Sequence, residues 1–196
     1  SARGLEGGFF DTGAFGPAGE GAQWLQRAQE SRGSVVRVDV PWGTIAPVKP
    51  GNQVDPADPA YRWASLDAMV DAIGSRGMKS ILSVNGAPRW AEGARRPSSV
   101  RQGTWKPDPA ALGRFARAMA TRYRGRATAV QVWNEPNLRL YLAPQWDKRK
   151  RAVGAARYRR MINAVYDNLN AVAPEMLVVT GGTAPFGDPQ RGGRRV

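Results

Sequence analysis

Residues 128–137 read TAVQVWNEPN, and the fold turns on how this stretch is understood. A β-branched, apolar run ends abruptly on Asn134, Glu135, Pro136 and Asn137. Runs of this length and composition form strands covered on both faces. Pro136 has no N–H to give a ladder, so the strand stops before it. The sequence therefore predicts an amide and a carboxylate at the carboxyl end of a buried strand. An Asn-Glu-Pro triplet can also be a plain strand terminator, and the surrounding chain has to separate the two readings.

Working outward, the same alternation of short apolar runs and longer helical periodicity recurs on both sides. Before the stretch, strands are expected at GLEGGFF (4–10), SVVRVDVPW (34–42) and KSILSVN (79–85), and after it at MLVVTGG (176–182). Between them lie helical patterns. GAQWLQRAQESRG carries Trp24, Leu25 and Ala28 toward the sheet and stops at Gly33. YRWASLDAMVDAIGSRG places Trp63, Leu66, Met69, Val70 and Ile73 on one face. Asp108 reads as an N-cap with Pro109 in the first turn, opening a helix striped by Leu112, Phe115, Met119 and Tyr123. A last helix turns Tyr158, Met161, Ile162, Val165, Leu169 and Val172 inward and ends before Pro174.

Strand and helix alternate without a hairpin signal, which argues for parallel βαβ units in an α/β fold. A doubly wound sheet and a (β/α)8 barrel both fit. The glycine-rich GAFGPAGEG lacks the spacing of a phosphate loop. Polar and aromatic residues gather where strands end: Arg37, Asp39 and Trp42; Asn85, Arg89 and Trp90; Asn134 and Glu135. In a barrel, reactive residues sit at those carboxyl ends, so the distribution favours the TIM barrel.

Composition removes several chemistries. The 196 residues include neither cysteine nor histidine, which excludes disulfides, thiolate metal sites, and Ser-His-Asp or Cys-His catalysis. Acid–base work would fall to carboxylates, tyrosine or lysine. No metal or cofactor is implied. No apolar run approaches the roughly 18–20 residues of a membrane span. The net charge is +13, mostly from arginine. The arginines are scattered and no nucleic-acid signature accompanies them, so a solvated surface or an anionic polysaccharide explains them better than DNA or RNA.

VQVWNEPN resembles the strand-four signature of retaining glycoside hydrolases built on the (β/α)8 barrel, a clan that includes cellulases, β-xylosidases and α-L-iduronidases. VVRVDVPWGTIAPVKPG looks like the strand-two segment of such enzymes, and SVNGAPRWA is similar to their strand-three end. The flavour is that of the β-xylosidase and iduronidase-like group, glycoside hydrolase family 39 and its relatives, over residues 5–186. The resemblance implies that Glu135 is the general acid/base, protonating the departing oxygen and then deprotonating water while a second carboxylate attacks the sugar carbon. Asn134 would hydrogen-bond the hydroxyl beside the reacting carbon. Arg37 would keep the second carboxylate ionised, or else form a structural pair with Asp39 or Asp11. Trp42 and Trp90 either stack on pyranose faces or fill loop cores. Asn85 is a further candidate sugar ligand, and Tyr141 and Trp146 are candidates for the rim of the cleft.

Five strands are legible, whereas the barrel has eight. The family's nucleophile closes strand seven, and Glu92, Glu175 and Asp188 are poor substitutes by position. The expectation is that residues 1–196 are the N-terminal portion of a single catalytic domain, about the first five βα units, with the nucleophile outside the chain and the C-terminal half of the barrel as a partner. The substrate would be a carbohydrate. The alternative is an inactive barrel that holds an anionic polysaccharide. A secreted or cell-envelope bacterial protein is expected, with a cytoplasmic one still open.

Overall fold

A computed structural model describes residues 7–11 and 21–187. Five strands form one parallel sheet: β1 (Gly8–Phe9), β2 (Val35–Pro41), β3 (Lys79–Asn85), β4 (Ala127–Val132) and β5 (Leu177–Thr180). The helices are α1 (Gly21–Glu30), the single turn α2 (Trp42–Ile45), α3 (Ala64–Gly74), α4 (Pro109–Tyr123) and α5 (Val153–Asn170). Residues 4–6 of the expected first strand, the 13–20 part of the glycine-rich segment, and Asp188 with the arginine-rich tail lie outside the described residues.

The strand order is β1-β2-β3-β4-β5. A doubly wound sheet reverses its order at a switch point, and here the order never reverses. The fold is that of the first five βα units of a TIM barrel. Register assigns the two faces. Arg37 lies beside Ile81 and Asp39 beside Ser83, which pair in turn with Ala129 and Gln131. These residues share the inner face. The alternate residues Val36, Val38, Val40, Leu82, Val84, Val130 and Val132 face the helices and are buried.

The helical layer follows the expected stripes. Leu112, Phe115, Met119 and Tyr123 of α4 are all at most 1% exposed, and the Asp108 carboxylate accepts from the Ala110 N–H at 2.9 Å as an N-cap. Phe115 stacks between Trp42 and Trp63. α4 and α5 approach closely at Gly113, where a Cβ would stand 2.6 Å from the Ala164 carbonyl oxygen. An ion pair fastens α3 to α4: Arg122 donates to both oxygens of Asp67, at 2.8 and 2.6 Å, and the Tyr123 hydroxyl donates to it at 2.9 Å. Those bonds, chiefly the one from Arg122, hold the Asp67 carboxyl below the usual range.

Two packing expectations need correction. Trp24 does not pack onto the sheet. It is 36% exposed with the Arg27 guanidinium 4.7 Å from its ring centroid, because Leu25 and Ala28 already fill the buried stripe of the ten-residue α1. The second strand ends at Pro41 rather than at Trp42, which opens the helical turn α2 instead.

Candidate active site

β4 builds the site. Beyond Val132 the backbone takes a path that L residues rarely adopt, with Trp133 at φ +69° and Glu135 at φ +37°. Each such residue costs on the order of 1–3 kcal/mol and persists only where its surroundings over-determine it. Here they do. The Trp133 N–H donates to the Val84 carbonyl at 2.9 Å, and its buried indole donates to the Tyr141 carbonyl at 2.8 Å. The Glu135 N–H donates to the Gly182 carbonyl at 3.1 Å, beyond β5. From α5, the Tyr158 hydroxyl donates to the Val132 carbonyl at 2.8 Å and accepts from the Gly181 N–H at 2.6 Å. Burial pushes that hydroxyl's pKa up, so it keeps its proton and both bonds. Gly181 has to be glycine, since a Cβ there would lie 2.7 Å from the Trp133 carbonyl oxygen.

A cleft of about 560 Å³ opens in front of this turn. Asn134, Glu135, Arg37, Asn85 and Tyr141, five of the eight residues singled out in the sequence, line it together. Arg37 lies on the inner face, where its guanidinium donates to Asp39 at 3.4 Å and to the Asn134 side-chain oxygen at 3.3 Å. The Phe10 ring covers it, with a centroid 3.8 Å away. The structural pair with Asp39 is therefore present, and Arg37 also fixes the Asn134 amide. With the Asn134 oxygen engaged, its NH2 group is left to donate elsewhere. Glu135 is half-buried, and among the described residues no cation or N–H meets its carboxylate. The described Asp39, Asp67, Asp71, Glu92, Asp108, Asp147 and Glu175 side chains all have such partners.

Trp42 and Trp90 are not on the cleft. Trp42 is 0% exposed and stacks on Phe115, because the α2 turn swings it away from the inner face into the helical layer. Trp90 meets Trp42 edge to face and donates from Nε1 to the Ala46 carbonyl at 2.8 Å. Both form loop core. Trp146 is half-buried beside an isolated bridge to Ala152 and does not line the cleft.

The lining also includes residues not foreseen from the sequence: Arg101, Gln102 and Thr104, with Gly86. They sit in the long 86–108 loop after β3. Glu92 organises that loop, its buried carboxylate accepting from the Gly103 N–H at 2.6 Å and the Trp105 N–H at 3.1 Å, with Arg96 3.5 Å away. A second ladder joins it to the loop after β4: the Ala143 N–H donates to the Thr104 carbonyl and the Lys106 N–H to the Ala143 carbonyl. The available sequence signal was the length and polarity of the connection, since long ordered loops at strand ends commonly carry function. The other carboxylates are placed as their positions implied. Glu92 is committed to its loop, and Glu175 pairs with Arg124 at 3.0 Å, before β5.

Comparison with known proteins agrees with this geometry. The profile of the cellulase family, glycosyl hydrolase family 5, matches residues 4–191. Among solved structures, a monomeric β-xylosidase from Caulobacter crescentus CB15 superposes with a TM-score of 0.65 at 19% identity, covering 92% of this chain and 36% of that one. A family 39 glycoside hydrolase from the gut symbiont Bacteroides cellulosilyticus WH2 gives 0.61 at 18% identity, with 92% and 32% covered. A family 39 enzyme from Xanthomonas axonopodis pv. citri gives 0.63 at 19%, with 92% and 35% covered. The chain spans about a third of the length of these structures, and at such identities they speak to the fold alone. No curated protein matches the chain.

Proposed function

The chain belongs to the cellulase family, glycosyl hydrolase family 5, and on that footing we propose that it cleaves O-glycosidic bonds of a polysaccharide or oligosaccharide, with Glu135 as the general acid/base of a retaining, two-carboxylate mechanism. One observation carries the reading. Among the described residues, the one cleft-lining carboxylate without a partner sits at the carboxyl end of β4, on a strained turn held from three sides. Glycine is the usual residue at such φ angles, so Glu135 keeps its place there against a backbone cost.

The chemistry assigns each residue a task. Glu135 gives its proton to the departing glycosidic oxygen while a second carboxylate attacks the anomeric carbon from the opposite face. Glu135 then takes a proton from the water that releases the sugar. Asn134 donates to the hydroxyl next to the reacting carbon, its amide held by Arg37. Asn85 and Tyr141 supply polar groups to further hydroxyls from the cleft wall. In this reading the attacking carboxylate lies outside the 196 residues. Asp39, the cleft's other carboxylate among the described residues, is paired with Arg37.

The test is hydrolysis of a panel of aryl glycosides by the complete protein and by Glu135→Gln. A loss of about 10²–10⁴ in rate is expected when an acid/base group is removed. Equal rates would take Glu135 out of the chemistry. The anomer first released, read by NMR, checks retention. The net charge of +13 favours a second reading, an inactive barrel that holds an anionic polysaccharide. Glycan binding without turnover, indifferent to Glu135→Gln, would select it.

A further inference from the structure

Two guanidinium groups line the cleft, and they differ in state. Arg37 is engaged by Asp39, Asn134 and the Phe10 ring. Arg101 has no side-chain partner among the described residues. Its backbone, by contrast, is firmly set. Val100 before it is buried, and Gly103 and Thr104 after it are buried too. The Arg101 carbonyl accepts from the Thr104 hydroxyl at 2.8 Å. The Gly103 carbonyl accepts from the Ala87 N–H at 2.9 Å, while the Gly103 N–H is tied to Glu92. Arg101 and Gln102 are thus two exposed residues between fixed points, carried to the rim of the cleft on a loop tied back to its own start after β3 and to the loop after β4.

We infer that Arg101 is a specificity residue that receives an acidic substituent of the saccharide, a carboxylate or a sulfate ester; this rests on the cleft being the saccharide site proposed above. Neutral hydroxyls are served by Asn85, Asn134 and Tyr141, and an unpaired guanidinium adds little for them. A planar guanidinium matches a carboxylate or sulfate with two parallel hydrogen bonds. A pre-positioned loop lowers the ordering cost of making them. The +13 net charge works in the same direction, raising the local concentration of a polyanion before it docks.

The experiment is calorimetric binding of neutral, uronate-bearing and sulfated oligosaccharides of equal length to the complete protein, to its Arg101→Gln variant, and to its Arg159→Gln variant. Arg159 lies exposed on α5 and controls for the loss of one positive charge. The complete protein should bind at least one anionic series about tenfold or more tighter than the neutral one. Arg101→Gln should abolish that preference and leave neutral binding unchanged, whereas Arg159→Gln should keep it. Which anionic series is preferred identifies the substituent. A preference that survives in Arg101→Gln, or falls equally in both variants, overturns the assignment and leaves the saccharide site standing. Absence of binding to every series overturns both.

Discussion

Glu135 combines two properties that conflict for stability and agree for catalysis. Its φ of +37° is strained for any residue with a side chain, and its carboxylate meets no partner among the described residues. Replacement by glycine relieves the backbone, with a gain offset by the freer unfolded chain. Glu135→Gly is therefore expected to hold its stability or gain up to about 1 kcal/mol while losing turnover. Chemical denaturation beside an activity assay checks this, and a marked destabilisation would show that the side chain is structural after all. Trp133 has a similar backbone but a buried indole with a hydrogen bond, so Trp133→Gly should instead cost about 3–5 kcal/mol. At this scale the sequence was informative where chemistry and position coincided. Asn134 and Glu135 were legible because an amide and a carboxylate ended a β-branched run. Trp42 and Trp90 stayed open between the two readings because direction, not residue type, separates a sugar platform from a core filler. The short α2 turn that sets the direction of Trp42 carries no periodicity to detect.

Among the elements, α5 holds the site without lining the cleft, and the loop after β3 carries Arg101 to the cleft's rim. Tyr158 bridges the end of β4 to the exit of β5, and the β5 exit in turn holds the Glu135 N–H through Gly182. It is a positioning residue. Tyr158→Phe should lower kcat several-fold with KM little changed, at a stability cost of about 1–3 kcal/mol. A purely structural role would lower stability alone and leave kcat per folded molecule intact. Glu92 holds the loop that bears Arg101. Glu92→Ala strands two buried N–H groups and should cost about 2–4 kcal/mol, with faster hydrogen exchange at 101–105 and unchanged exchange in β4. The helices were easily read, because α4 and α5 keep apolar stripes over several turns and Asp108-Pro109 supplies a cap. The loop was harder. Its order comes from one buried carboxylate and a ladder to a segment about forty residues away, and such long-range pairing leaves no local pattern. Trp24 failed for a related reason: in a short helix, neighbouring apolar residues compete for one buried stripe.

For the whole molecule, sequence periodicity made the parallel βαβ units and the division of faces readable but left a doubly wound sheet and a barrel both open. The polar and aromatic residues gathered at the strand ends favoured the barrel, and the monotonic strand order agrees with it. The residues packed between helices also set how the fold responds to acid. Asp67 is held below its ordinary pKa, first by its hydrogen bond from Arg122, so its ion pair contributes stability above the unfolded carboxylate value of about 3.9 and loses that contribution as pH falls through the lowered folded value. Asp67→Asn should be less stable than the parent at neutral pH, by about 1–2 kcal/mol. The difference should close in acid, and denaturation at both pH values measures it. The central claim is proton donation by Glu135 to the departing oxygen, and leaving-group dependence tests it most directly. With aryl glycosides graded from poor to excellent leaving groups, Glu135→Gln in the complete protein should lose most rate on the poorest, which need the proton, and least in bond cleavage with the best. A uniform loss across the series, or none, would contradict the account.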